Sequence, residues 1–144
     1  MPTTPTLTTP LDLLGRWSLE REIEDRYAAA RLRVTGTAVL EQVDGGRVRW
    51  HEEGLLERPG SAPAAVHRTL LVVPDAAGSW QVTFDDGRPF HPWSPGLAVD
   101  HPCADDLYRG VVDIQDRGRW TVTWQVRGPA KDHTITTAYA RPVA

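Results

Sequence analysis

From Trp17 to the end, the chain alternates apolar and polar residues with period two, and turn chemistry interrupts that alternation every ten residues or so. In the first stretch Trp17, Leu19 and Ile23 share one phase, while Ser18, Glu20, Glu22 and Glu24 share the other. Because successive side chains of a strand point to opposite faces, this predicts a strand with one buried and one wet face. The pattern returns in Leu32–Leu40, Val48–Leu56, Val66–Val72, Trp80–Phe84 and Arg88–Trp93, and again in Leu107–Gln115, Arg119–Arg127 and His133–Arg141. Asp44-Gly45-Gly46, Pro74–Gly78, Asp85-Asp86-Gly87, Asp116-Arg117-Gly118 and Gly128–Asp132 supply the turns. Residues 94–106 read as a proline-rich loop, and Leu11–Gly15 as a single helical turn stopped by Gly15.

About nine strands joined by local hairpins form a sheet too large to stay flat, since its apolar face needs cover and its edges need partners. An all-β, closed or nearly closed antiparallel up-and-down barrel meets both demands, with a sandwich as the competitor. Almost wholly Thr and Pro, residues 1–10 read as a mobile leader, and 11–144 as one barrel domain.

Composition narrows the function classes. A net charge of −3 with scattered basic residues argues against nucleic acid as a partner. No apolar run approaches the ~20 residues of a membrane span, and residues 1–10 lack the parts of a signal peptide. A single cysteine, Cys103, permits no internal disulfide, which fits a cytoplasmic protein, monomer or homodimer. Glycine-rich dinucleotide and phosphate loops and nucleophile elbows are absent, and the sequence names no cofactor.

Three charged residues fall in the buried phase: Arg21 beside Leu19 and Ile23, Glu52 between Trp50 and Gly54, and Arg68 between Val66 and Leu70. Burial of a charge is expensive unless it is paired or compensated by a ligand. The small residues Gly36, Ala38 and Gly54 on the same faces suggest unfilled volume. Together these point to a small-molecule pocket in which Arg21, Glu52 and Arg68 anchor a polar end and Trp50, Trp93 and Trp124 form walls, with Trp93 at the mouth. The alternative is an internal Arg–Glu–Arg network that only closes the barrel.

A second constellation runs from Phe90-His91-Pro92-Trp93 to His101-Pro102-Cys103-Ala104-Asp105-Asp106-Leu107-Tyr108. His91 or His101 with Asp105 or Asp106 could act as a general base and Tyr108 as a donor to an oxyanion, in a cofactor-free isomerase, cyclase or hydrolase. Alternatively the aspartates form turns and the histidines bond backbone groups. A zinc set of His91, His101, Cys103 and Asp105 has suitable ligand types without any standard spacing. Cys103 reads as a small packed hydrophobe rather than a nucleophile, because its neighbours are aspartates. Lys131, the only lysine, reads as a structural contact closing the barrel.

Gly15-Arg16-Trp17 is similar to the Gly-x-Trp signature of calycins. Further stretches resemble an uncharacterised family of small microbial proteins with a lipocalin-like barrel: Leu14-Gly-Arg-Trp-Ser-Leu-Glu-Arg21, Asp86-Gly-Arg-Pro-Phe-His91, His101-Pro-Cys-Ala-Asp-Asp-Leu-Tyr-Arg-Gly110 and Val126-Arg-Gly-Pro-Ala-Lys131. That resemblance implies a fold and no chemistry. A more distant similarity to nitrobindin-like barrels implies haem on a single histidine, for which His133 is the candidate.

Overall fold

The computed structural model describes residues 9–142, so most of the leader lies outside the described residues. Ten strands follow in chain order: β1 (Gly15–Asp25), β2 (Ala30–Gln42), β3 (Val48–Glu57), β4 (Ala64–Pro74), β5 (Trp80–Phe84), β6 (Pro89–Pro92), β7 (Ala98–Cys103), β8 (Asp106–Asp116), β9 (Arg119–Gly128) and β10 (Lys131–Ala140). All the pairings are antiparallel, and β1 joins β2 on one side and β10 on the other. The resulting order, β6-β5-β4-β3-β2-β1-β10-β9-β8-β7, is a single sheet curled until β6 and β7 approach without a backbone ladder. This is the nearly closed up-and-down barrel expected from the hairpin pattern.

The strand beyond the expected nine is β7, inside the stretch read as a proline-rich loop. Its only buried residue is Val99, and Pro102 interrupts its donors, so no period-two signal marks it. Pairing with β8, His101 opposite Tyr108, makes it a strand. Pro89 and Pro92 likewise remove donors from β6, so both strands at the seam are poor partners for a ladder.

One end of the barrel is plugged. A 3₁₀ turn, Pro10–Leu13, crosses it with Leu13 fully buried, and the Leu13 carbonyl accepts a 2.8 Å hydrogen bond from the Trp17 indole. Extended backbone at Leu14 ends this turn, rather than Gly15, which opens β1. Trp17 meets Trp120 edge-on at 5.9 Å, Tyr139 stacks on Trp120 at 3.9 Å, and Trp50 packs against both. Such pairs add ~0.5–1.5 kcal/mol each beyond the area they bury. Trp93 belongs to this plug: it is buried at 6% exposure and edge-on to Trp50 and Trp120, so it does not flank the mouth.

Gly36 and Gly54 face each other across β2 and β3. A Cβ on Gly36 would stand 1.9 Å from the Glu53 carbonyl oxygen, so this glycine admits a close backbone approach and leaves no pocket at its own position.

Candidate functional site

Above the plug the inward phase turns polar. The register places Arg21 of β1 opposite Thr137 of β10, and Glu52 of β3 opposite Arg68 of β4. Between β1 and β3, strand β2 sets Val34 beside Arg21 and Ala38 beside Glu52, and the small Gly36 and Ala38 let the Arg21 guanidinium cross to Glu52. Arg21 Nη2 donates to Glu52 Oε1 at 2.8 Å, and Arg68 Nη2 meets the same oxygen at 3.0 Å. Glu52 Oε2 accepts the Trp50 indole N–H at 3.0 Å and the Tyr139 hydroxyl. Arg21 Nε donates to Thr137 Oγ1 at 2.8 Å. Carried by three different strands, β1, β3 and β4, the buried-phase charges thus form one network with Glu52 only 3% exposed at its centre.

Burial opposes ionisation of Glu52, but Arg68 and Arg21, helped by the Tyr139 and Arg21 hydrogen bonds, outweigh it and hold its carboxyl below the ordinary value of 4.5. Burial, followed by the Glu52 charge, pushes the Tyr139 phenol far up, so it stays a donor. Two guanidinium groups against one carboxylate leave the layer with one positive charge in excess. Arg68 carries the loose end: its Nε is buried without a hydrogen-bond partner among the described residues, and its side chain is 39% exposed. A cavity of about 60 Å³ borders this layer, lined by Arg21, Glu52 and Arg68 with Leu19, Val34 and Val66, and also by Glu53, Gly54 and His67. A larger cleft of about 510 Å³ lies across β1, β2 and β10. Much of its wall is exposed charge, as in the Glu22–Arg33 pair at 2.9 Å, so its ion pairs are screened by solvent as the inner layer is not.

The second constellation is brought together only in part. His91, His101 and Tyr108 gather around an aromatic stack, while Asp105 is exposed in the tight β7–β8 turn beside Ala104, whose φ is 54°. Asp105 is therefore a turn former. The stack runs from Trp124 to Phe90 at 5.1 Å and 9°, then to Phe84 at 4.6 Å and 12°. His101 of β7 meets Phe90 of β6 edge-on at 5.0 Å, so side chains bridge the seam that backbone bonds leave open. Both faces of Trp124 are covered, one by Phe90 and the other by Gly110 of β8, its cross-strand partner. A Cβ on Gly110 would come within 2.6 Å of the indole. Gly110→Ala is expected to destabilise the barrel by about 1–3 kcal/mol in urea unfolding, because the ring has no room to retreat.

His91 is 6% exposed, and its Nδ1 donates to the Pro92 carbonyl at 2.8 Å, which leaves Nε2 as an acceptor. Burial, against the Pro92 bond and with His101 and Arg68 adding to it, lowers its pKa to about 4. His91 and His101 have no carboxylate partner among the described residues; the His–carboxylate pairs are His51–Glu53 and His133–Asp25. Cys103 is exposed, contrary to its reading as a packed hydrophobe. The zinc set does not assemble, since the described residues contain no group of three or more ligating side chains. His133, the haem candidate, sits 3.3 Å from Asp25. Lys131 pairs with Asp106 at 3.0 Å and reaches the Tyr108 hydroxyl at 3.5 Å, a contact across the strands that the absent Cβ of Gly128 makes possible. Tyr139 and Thr137 were not singled out from the sequence as site residues; their place in the inward phase of β10, with Ile135, is the signal that marks them.

A model described as a family of unknown function, DUF6314, matches residues 13–141. The chain belongs to the DUF6314 family. No curated protein matches this DUF6314 chain in sequence. The S-type phycobiliprotein lyase CPES from Guillardia theta is similar in structure, with TM-score 0.68, 10% identity, and 93% of this chain and 90% of that one covered. A DUF3598 protein of unknown function from Nostoc punctiforme PCC 73102 gives TM-score 0.63 at 12% identity; 96% of this chain covers 51% of that one, about half its length. A redesigned β-barrel, mFAP0, bound to DFHBI gives TM-score 0.50 at 11% identity, with 90% and 99% covered. At these identities the DUF6314 chain shares the fold with them. No helix among the described residues is long and apolar enough to cross a membrane.

Proposed function

We propose that this barrel binds a small molecule in the half of its lumen beyond the plug, with the Arg21–Glu52–Arg68 layer as the polar floor. The observation that carries the reading is the unequal layer: two cations share one buried carboxylate, and the second cation keeps a buried, unpartnered Nε beside a cavity. A network built only to close the barrel would be expected to balance its charges and leave no donor orphaned, because both defects destabilise the fold. The structural neighbours support the reading to the extent that a barrel of this shape is seen with a ligand in mFAP0.

The acid–base alternative keeps His91, His101 and Tyr108 near one another but has no carboxylate to orient either imidazole, and Asp105 is outside it. Binding is therefore the stronger reading.

A thermal-shift screen of small molecules against the full chain tests it, with Val66→Phe as the comparison because the added ring occupies the cavity. Compounds that raise the melting temperature of the wild-type chain and not of the Val66→Phe variant support the lumen as the site. Compounds that stabilise both equally would overturn it.

A further inference from the structure

The chemistry of the occupant can be taken further, on the reading that the lumen is a binding site. Its charge is set by the layer. Arg21 is held on Glu52, Thr137 and Tyr139, so Arg68 is the cation with unused capacity. A single excess positive charge is matched by one negative charge, whereas a dianion would leave the floor as unbalanced as before.

The size of the head follows from the cavity. At about 60 Å³ it has room for roughly two waters by their share of the liquid, at ~30 Å³ each, which a carboxylate group can replace.

The body follows from which walls are free. Aromatic rings here already stack on one another: Trp124 on Phe90, Phe90 on Phe84, and Tyr139 on Trp120. Stacking a flat ligand on them would require one of these contacts to open. Next to Arg68 the cavity offers the aliphatic Leu19, Val34 and Val66, with Glu53 and His67 also on its wall. Leu56 and Ile135, half-buried in the same inward phase, continue them toward the unplugged end, where β3 ends and β10 begins. Apolar surface of this kind gains about 25 cal/mol for each Å² covered.

We propose that the ligand is an aliphatic monocarboxylate, its head in the cavity against Arg68 and its chain along Val66, Leu56 and Ile135. Lipid-derived and free metabolic acids share this chemistry.

Isothermal titration calorimetry on the full chain with octanoate, octanol, octyl phosphate and 2-naphthoate tests the assignment. The expected result is octanoate binding at one site at least about tenfold more tightly than octanol, the scale of one charge-assisted hydrogen bond. Arg68→Met should erase that difference while leaving octanol binding in place. Met keeps the apolar stem, and Arg21 alone then neutralises Glu52, so the variant retains a balanced floor. Val66→Phe should weaken both probes. Equal affinity for octanoate and octanol would overturn the carboxylate, a preference for octyl phosphate the single charge, and a preference for 2-naphthoate the aliphatic body. Each of these leaves the binding reading standing. Failure of all four probes to bind would remove the proposal, and if the screen above also yields no lumen ligand, the binding reading falls with it.

Discussion

Glu52→Ala is expected to lower the unfolding free energy by about 3–5 kcal/mol, the largest effect of any single substitution considered. The substitution removes one carboxylate and leaves four groups that depend on it. Arg21 and Arg68 lose their shared counter-charge, and the Trp50 indole and Tyr139 hydroxyl lose their acceptor inside the barrel. A cost of this size comes from the uncompensated partners, since a buried charge left alone is far worse than a charge never buried. Urea unfolding followed by tryptophan fluorescence measures it directly, and a loss below about 1 kcal/mol would show that water reaches the layer freely. The vacated space faces two guanidinium groups, so added acetate should restore part of the variant's stability and stabilise it more than it does the wild-type chain. Arg21→Met together with Glu52→Leu and Arg68→Met should recover much of the loss, because replacing a whole buried ion network by apolar groups is often neutral.

The second large effect is a pH dependence carried by His91. Its folded pKa is about 4 against an ordinary 6.5, lowered by burial, by His101 and by Arg68. Between those values the unfolded chain binds a proton that the folded chain refuses, so stability falls as pH is lowered from 6.5 toward 4. The full drop is on the order of 3 kcal/mol, at about 1.4 kcal/mol for each pKa unit. His91→Gln should flatten the stability profile across that window. It should leave intact the further loss below 4.5, where Glu52 carboxyls of unfolded chains take protons that the folded layer resists. An unchanged slope between pH 6.5 and 4 in the variant would remove His91 as its source. Titration of the His91 ring proton by NMR provides the independent check.

Much of the barrel was legible because strand periodicity is a local property. Trp17, Leu19 and Arg21 fall on one side of β1 whatever lies opposite, and glycine-bearing turns fold the chain back regardless of what it meets. The same locality put Arg21, Glu52 and Arg68 in the inward phase, and the structure finds them in contact. Phase could not say how far along the barrel each residue lies. Trp93 and Trp124 illustrate the gap: the first is in the plug, and the second is sealed between Phe90 and Gly110. The sequence alone put the first at the mouth and the second in the pocket wall. β7 was missed because one buried apolar residue and a proline carry no alternation, and only its pairing with β8 makes it a strand. Asp105 stood near His101 in sequence and serves the hairpin that joins His101 to Tyr108.

The amino-acid order by itself determined which side chains face inward and that hairpins connect them, since both depend on residues within a few positions of each other. Tertiary structure alone decided the stoichiometry of the charged layer, the closing of the seam by rings instead of hydrogen bonds, and the location of the remaining space. Those properties arise where strands far apart in the chain meet. Gly36 and Ala38 between Arg21 and Glu52 show the physical reason: what a side chain can reach depends on the size of its neighbour on the next strand, and that neighbour is chosen by register.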